Sequence, residues 1–409
     1  MKKWTSLLAA NFLGVFNDNF LKNAIIFVAI GWNLPSWLSQ SQLIALVSAS
    51  LVVPYLILSP LGGKLAVHYS KLKVFRFFKL LEFPIMAIAC IAFWYEWVVI
   101  AVLAVLLMGI QSCLYSPAKY GLIRDIGGVE GSALGSGMFE TMAFLGVLIG
   151  TVLASWLSDA YQVWVFLAVF MLLAAAGYLT SLYIKADEPA PDTASSLKVN
   201  LFPWRFLRDS YQLAKSFKQV NAAVFGVSVF WLIGALLQMN IVIHAGKYYQ
   251  VSNTAIGVVM AFAAIGIALG TWLAGVLAAK VKNRTLMLYG LTGMLINLLV
   301  IVFLPIDFQL FLVLIFLTAC FGGIFQVPNL TVIQQADAGR KLGQLLAYMN
   351  LVIFIFVLIA SVLFSITMLL TEDNSLILFG LIAVICLLTL LMANNGERKT
   401  ESGKRKTES

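Results

Sequence analysis

Long apolar runs of about 20 residues recur along this 409-residue chain from one end to the other. A helix needs about 20 apolar residues to cross the hydrocarbon core of a bilayer, whereas a strand of a membrane barrel alternates over about 10 residues. The runs here are continuous, and 61% of all residues are hydrophobic while 11% are charged. The sequence therefore predicts an all-α membrane protein with many spans.

Breaks between the apolar runs predict twelve transmembrane helices in two groups of six. The predicted spans are residues 5–30, 41–62, 77–95, 97–116, 132–157, 162–184, 220–243, 253–278, 285–304, 308–327, 342–369 and 375–393. We expect a six-helix bundle over 1–184, a cytoplasmic connecting segment over 185–219, a second six-helix bundle over 220–394 and a basic disordered tail over 395–409. Basic and aromatic residues in the connecting segment predict an amphipathic helix on the membrane surface, and a helix that docks a partner is the alternative.

Positive charge is distributed unequally between the two sets of predicted loops. Of the 27 lysine and arginine residues, only Lys22 and Lys247 fall outside the segments on the side of the N-terminus. Basic loops stay in the cytoplasm, so both termini are predicted to be cytoplasmic. The net charge of +9 then reflects orientation and contact with anionic lipid rather than nucleic acid binding. The four cysteines lie in apolar stretches without metal-ligand spacing, and no cofactor or metal site is predicted.

The first predicted span carries more polar groups than a lipid-facing helix tolerates. Asn11, Gly14, Asp18 and Lys22 follow one another at steps that place them on one helical face. A charge near the middle of a bilayer costs about 2.5 to 3.5 kcal/mol on insertion scales, so it is retained where it faces protein, water or a ligand. Asp18 and Lys22 are therefore predicted to line a polar cavity. The alternatives are that the two side chains pair with each other, or that Lys22 reaches the membrane interface.

Three further charges lie in or beside the predicted spans. Glu140, about a third of the way into span five, is either a site residue or a structural hydrogen-bond partner of another helix. Lys119 follows Pro117, which is expected to end the fourth helix, and either obeys the positive-inside rule or meets a substrate. Glu82, close to the cytoplasmic end of span three, is predicted to pair with Lys79 or Arg76, and a functional role is the alternative.

The two halves of the chain resemble each other. Gly-Lys-Leu-Ala at 63–66 follows span two and Gly-Val-Leu-Ala at 275–278 follows span eight, and basic residues come after both. Two six-helix halves in parallel repeat resemble the plan of the major facilitator transporters. That superfamily places an Asp and a second Gly in the turn after span two, where this chain has Val67 and Ser70. The charge relay usually ascribed to that Asp is therefore in question for this chain.

Shorter motifs carry a more specific resemblance. Phe-Asn-Asp-Asn-Phe at 16–20, Ser-Pro-Ala-Lys-Tyr-Gly at 116–121, Met-Phe-Glu-Thr at 138–141 and Phe-Trp at 230–231 resemble the lysophospholipid transporter family of the major facilitator superfamily. The resemblance implies a flippase-type transporter that moves lysophospholipids such as lysophosphatidylethanolamine across the bacterial cytoplasmic (inner) membrane by alternating access. An acyltransferase would then re-acylate the lipid at the inner leaflet.

The same resemblance implies the polar contacts of the substrate, to which the charge pattern adds Lys22. Gln238 stands where relatives place an arginine, so no phosphate-binding cation is assigned there and the head-group preference stays open. The predicted substrate-binding residues are Asp18, Asn19, Lys22, Lys119, Tyr120, Glu140 and Gln238.

A proton-coupled carrier for a drug or small metabolite is the alternative function, with Asp18 or Glu140 as the titrating group. Apolar walls beside a few polar anchors suit either substrate, so the cavity alone does not decide. An enzyme is not predicted, because His68 lacks the Asp of an acyltransferase signature and no Walker sequence occurs. The expected partners are the lysophospholipid, membrane lipid and an acyltransferase, with the chain itself a monomer and no nucleic acid bound.

Overall fold

In the part of the chain that this computed structural model describes, all regular secondary structure is helical. The described backbone comprises residues 3–36, 38, 40–159, 161–191, 202–372 and 374–407, with side chains except at 30, 40, 41, 253, 254 and 395–407. The helices are α1 (Thr5–Val28), α2 (Gln40–His68), α3 (Lys71–Tyr95), α4 (Val98–Asp159), α5 (Val163–Leu182), α6 (Pro203–Lys215), α7 (Val220–Ile243), α8 (Asn253–Leu277), α9 (Asn283–Phe303), α10 (Phe308–Gln335), α11 (Leu342–Leu370) and α12 (Ser375–Thr407). The predicted all-α membrane fold is confirmed.

Helix α4 contains two membrane spans. Its 62 residues would extend about 93 Å if straight, three times the thickness of the hydrocarbon core. The helix is broken at Gly128, whose φ of 67° and ψ of −171° a residue with a Cβ rarely adopts. We call residues 98–127 the first limb of α4 and residues 129–159 the second limb. Successive residues of α1 contact decreasing residue numbers in the first limb and increasing residue numbers in the second, so the chain reverses direction between the two limbs. The pairs are Gly14 with Tyr115 and Asp18 with Ser112 in the first limb, and Asn11 with Phe139 and Asn23 with Thr151 in the second.

The described helices account for twelve membrane crossings. Among the described residues, ten helices are long and apolar enough to cross a membrane, namely α2 to α5 and α7 to α12. The second limb of α4 adds one crossing. Helix α1 adds another, because its 24 residues extend about 36 Å and pack against both limbs of α4 although its polar stripe lowers its hydropathy.

Pro117 does not end a helix, contrary to the expectation from sequence. The first limb of α4 continues through it to the break at Gly128. A proline removes the hydrogen bond to the carbonyl four residues earlier, which here belongs to Cys113. Gly62 of α2 packs against that carbonyl, and a Cβ at Gly62 would lie 2.8 Å from the oxygen. Packing against a neighbouring helix is how prolines are accommodated inside membrane helices.

The two halves, α1–α5 and α7–α12, pack closely at one end of the bundle. We call it the basic end, because the α2–α3 turn, the reversal in α4 and the connecting segment lie there and contain many of the lysine and arginine residues. Here α2 contacts α11, and α4 contacts α8 and α10. A Cβ at Gly63 would lie 2.7 Å from Ala347 Cβ, and one at Gly137 would lie 2.7 Å from Gly275 Cα. Small residues therefore bring the halves together at the basic end.

The connecting segment contains the amphipathic helix α6 within its described part, while residues 192–201 lie outside the described residues. Ser210 and Ala214 of α6 are buried, and the Gln344 amide of α11 donates to Ser210 Oγ at 3.0 Å. Trp204 is 73% exposed. The position of α6 on a membrane surface stays a prediction.

The last helix extends into the region predicted as a basic disordered tail, residues 395–409, and the disorder of that tail stays a prediction. Helix α12 continues from the last span to Thr407, and residues 408 and 409 lie outside the described residues. A nucleated helix adds one hydrogen bond for each further residue, and the Glu, Arg and Lys residues that follow the span are good helix formers. The basic composition of this region therefore does not end the helix.

Candidate substrate-binding site

Asp18 lies on the face of α1 that meets the first limb of α4. The residue is half-buried, and its carboxylate accepts a hydrogen bond from Ser112 Oγ at 2.9 Å. It also interacts electrostatically with Glu82, Lys79 and Lys119. Among the ion pairs of the described residues none joins Asp18 to Lys22, so the simple pairing of those two charges is not seen.

Asn19, Lys22 and Asn23 follow Asp18 within about one and a half turns of α1. Lys22 Nζ donates to Asn19 Oδ1 at 3.4 Å, and both side chains are partly exposed. Asn23 Nδ2 donates to Thr151 Oγ1 of the second limb of α4 at 3.0 Å. The Asn23 amide ties α1 to α4, whereas Asn19 and Lys22 contact each other on α1 just after Asp18.

A second charged cluster lies behind α1 and is closed to solvent. Lys79 Nζ is 2.7 Å from Glu82 Oε2, and Asn17 Nδ2 donates to the other oxygen of Glu82 at 2.6 Å. The lysine and glutamate side chains are each 1% exposed. Lys79 Nζ packs between α1 and α5, where a Cβ at Gly14 or Gly177 would lie 2.7 Å or 3.2 Å from it. The expected Lys79–Glu82 pair is thus formed, and it holds α1, α3 and α5 together.

Lys119 lies in the first limb of α4 and faces aromatic rings rather than a carboxylate. Its Nζ is 5.4 Å from the ring centroid of Tyr115, 5.7 Å from that of Tyr120 and 5.5 Å from that of Phe139. It belongs to none of the ion pairs found among the described residues, and its side chain is partly exposed. Cation–π contacts stabilise the ammonium while leaving its N–H donors available to an anion.

Glu140, in the second limb of α4, connects the two halves. Tyr120 Oη donates to Glu140 Oε1 at 3.0 Å, and Gln326 Nε2 of α10 donates to Oε2 at 3.2 Å. The carboxylate is buried, and Lys119 interacts with it electrostatically. Tyr120 and Glu140 therefore form a polar contact with the second half. Lys119 interacts electrostatically with both Asp18 and Glu140, so the four residues form one polar group beside the contact between the halves.

Three predicted residues are not joined to this group by the described contacts: Asn19 and Lys22, which contact each other, and Gln238. The Gln238 side chain lies exposed on α7, and no hydrogen bond among the described residues links it to the other six. In its place the second half contributes Gln326 of α10 and Asn350 of α11, whose amide donates to Ser116 Oγ at 2.9 Å. Sequence reasoning missed both, although a lone amide in an apolar span is a recognised sign of an interhelical hydrogen bond.

Aromatic side chains from both halves border the polar group. Tyr55 of α2 stacks on Phe354 of α11 with ring centroids 4.1 Å apart. Phe144 of α4 stacks on Trp231 of α7 with centroids 6.1 Å apart. A few polar anchors beside aromatic walls can hold a molecule with a charged end and an apolar body.

Twelve crossings in two halves, with a polar group between the halves, define a membrane transporter of the alternating-access class. The sequence model described as Major Facilitator Superfamily matches residues 7–244 and 223–409. Because these matches cover nearly the whole chain, the protein belongs to the Major Facilitator Superfamily.

The chain is also similar to individual named proteins over most of its length. The chain is 27% identical over 350 residues to the lysophospholipid transporter LplT of Serratia proteamaculans, covering 85% of this chain and 83% of the relative. It is 28% identical over 357 residues to the protein of the same name from Shigella flexneri, covering 86% and 85%.

Solved structures share the fold. The human organic anion transporter MFSD10 aligns with a TM-score of 0.73 at 14% identity, covering 95% of this chain and 99% of that chain. The Escherichia coli fucose:proton symporter FucP aligns with a TM-score of 0.74 at 13% identity, covering 96% and 98%. At such identities the likeness shows the architecture alone.

Proposed function

We propose that this protein is a flippase-type transporter that moves lysophospholipids such as lysophosphatidylethanolamine across the bacterial cytoplasmic membrane to its inner leaflet by alternating access. The observation that carries the proposal is Lys119, an ammonium group between the halves that faces three aromatic rings and no ion-pair partner among the described residues. An ammonium in such a place is suited to a phosphate. The relatives' name, lysophospholipid transporter, supports the same substrate class.

The head group of lysophosphatidylethanolamine carries a phosphate and an ammonium, and the site offers a partner for each. Lys119 would bind the phosphate, and the Asp18 carboxylate, which has one hydroxyl donor in Ser112, would accept from the ammonium. Both protein charges then gain partners at once, which offsets the desolvation that a single unpaired charge suffers.

The apolar body of such a substrate contributes less to selectivity than its head group. Its acyl chain leaves bilayer hydrocarbon, which is as apolar as the aromatic walls around Tyr55 and Trp231, so the transfer gains little. Polar contacts therefore supply most of the discrimination. Asn19, Lys22, Tyr120 and Glu140 complete the proposed polar site, while Gln238 stays a prediction.

The placement of the protein is part of the proposal. We place it in the bacterial inner membrane with both termini cytoplasmic, since basic loops cluster at one end of the bundle. It acts as a transporter without enzymatic activity of its own. The monomeric state and an acyltransferase that uses the delivered lipid remain predictions.

Uptake of labelled lysophosphatidylethanolamine into spheroplasts that lack endogenous transport tests the proposal. The intact chain should support uptake, and Asp18→Ala should abolish most of it. Lys280→Ala, which removes an exposed lysine at the basic end, is the matched control and should transport normally. Absence of uptake by a well-expressed intact chain would refute the lipid substrate.

An uncoupler separates this function from the proton-coupled carrier, the second candidate, which the buried carboxylate of Glu140 favours. Lysophospholipid uptake that persists with the uncoupler supports the flippase. Uptake of a drug or metabolite that collapses with the uncoupler and depends on Glu140 would support the carrier.

A further inference from the structure

Glu188 lies in the segment that connects the two halves, yet its side chain is almost buried against the first half. Its carboxylate accepts hydrogen bonds from Ser70 Oγ at 2.8 Å, from Lys71 N at 2.5 Å and from Leu72 N at 3.0 Å. These groups form the N-terminus of α3, where backbone N–H groups lack partners within the helix. An acidic side chain at this place is favoured by both the hydrogen bonds and the helix dipole.

The second half reaches the same carboxylate through Arg340, which lies two residues before the start of α11. Arg340 Nη1 lies 3.6 Å from Glu188 Oε2, and the two side chains are 7% and 11% exposed. The guanidinium also donates to the carbonyls of Tyr69 at 3.1 Å and Ala190 at 3.0 Å. One carboxylate from the connecting segment therefore joins the α2–α3 turn of the first half to the start of α11 in the second.

This arrangement accounts for the missing Asp of the α2–α3 turn. Val67 stands at the expected position and offers no charge. The neighbouring pair between Lys71 and Asp125 lies within the first half and does not reach α11. Glu188 thus brings a carboxylate to a turn that has none at the expected place.

We propose that Glu188 is the latch of the basic end, a positioning residue that holds the halves closed there through Arg340 and is released when the transporter opens toward that side. Opening separates the start of α11 from the α2–α3 turn, so Arg340 must leave both the carboxylate and the carbonyl of Tyr69. The proposal concerns the conformational cycle and does not depend on which substrate is carried.

A second link between the halves limits the expected effect. Arg124 of α4 donates to the carbonyls of Gln334 and Ala336 and lies 3.7 Å from Asp337. Asp337 is fully exposed, so solvent weakens that ion pair. Loss of the Glu188 latch should therefore shift the balance of conformations without leaving the basic end permanently open.

The test is a distance measurement by electron paramagnetic resonance on the full chain in lipid nanodiscs. Spin labels at Lys73→Cys and Lys341→Cys occupy exposed positions in the first and second halves. The native cysteines are buried or half-buried, which favours labelling of the introduced ones. Glu188→Gln should raise the ratio of long to short distances at least threefold.

Matched variants decide the cause of any shift. Asp187→Asn removes the same charge one residue earlier, at an exposed side chain, and should leave the distances unchanged. Arg340→Gln should give the same shift as Glu188→Gln, and the double variant no more than either. Ser70→Ala removes one bond that caps α3 but keeps the contact with Arg340, so it should not open the basic end.

Three outcomes would overturn the proposal. They are unchanged distances in Glu188→Gln, an equal shift in Asp187→Asn, and an equal shift in Ser70→Ala, which would assign the effect to helix capping. A Glu188→Gln chain that fails to fold is replaced by Arg340→Gln, which leaves the N-terminus of α3 intact and must show the same opening.

Discussion

Two charged clusters lie on either side of α1, one behind it and one facing the contact between the halves, and they differ in how completely their charges are satisfied. Behind α1, Lys79 pairs with Glu82, which also accepts from Asn17, and all three side chains are closed to solvent. Between the halves, Lys119 faces rings and Asp18 has one hydroxyl donor, and both are partly exposed. A charge in a membrane span is therefore not by itself evidence of a binding site. The incompletely satisfied cluster is the candidate.

Breaking the closed cluster should give the largest effect, on folding. Lys79→Met leaves Glu82 buried without its cation, which costs about 3 to 5 kcal/mol. We expect little folded protein, measured as the monodisperse fraction after extraction in detergent. The double variant Lys79→Met with Glu82→Leu removes both charges and should recover much of that fraction. Recovery of transport to less than the recovery of folding would show that the pair also serves the site.

Lys119 should behave in the opposite way. Lys119→Ala removes the proposed partner of the phosphate, and a hydrogen bond to a charged group contributes about 1.5 to 3 kcal/mol. Uptake of lysophosphatidylethanolamine at low concentration should fall about 10-fold to 100-fold with a normal monodisperse fraction. Lys119→Arg keeps a cation and should retain more activity than Lys119→Ala. A folding defect as large as that of Lys79→Met would remove the distinction between the clusters.

The contrast between the clusters was partly readable from sequence. The stripe on α1 is visible because Asp18 and Lys22 interrupt an apolar run, and the spacing of Lys79 and Glu82 suggests their pair. What sequence does not supply is the partner from a distant part of the chain. Gln326 meets Glu140 across 186 residues, and a single amide in an apolar span gives no hint of which helix it faces.

Two local rules were also overridden by packing. Pro117 was expected to end a helix, but the contact of α2 with the freed carbonyl lets α4 continue. Glu188 lies among prolines and acids that are typical of a solvated linker, and only the fold brings it to the N-terminus of α3. In both places the deciding contact comes from another helix.

Glu140 lies between the two extremes and should give the smallest effect. Its carboxylate is buried like Glu82 but accepts from two neutral donors, Tyr120 and Gln326, rather than from a cation. Glu140→Gln keeps an oxygen that accepts from Tyr120 but turns an amide toward the amide of Gln326. We expect a threefold to fivefold loss of uptake, or about 1 kcal/mol, with normal folding.

Gln326→Glu in the same chain restores one donor and one acceptor across the halves and should recover part of the loss, as measured by uptake of the labelled lipid. A loss from Glu140→Gln as large as that from Lys119→Ala would instead show that the carboxylate contacts the substrate or carries a proton directly, rather than serving the polar site mainly as a link between the halves.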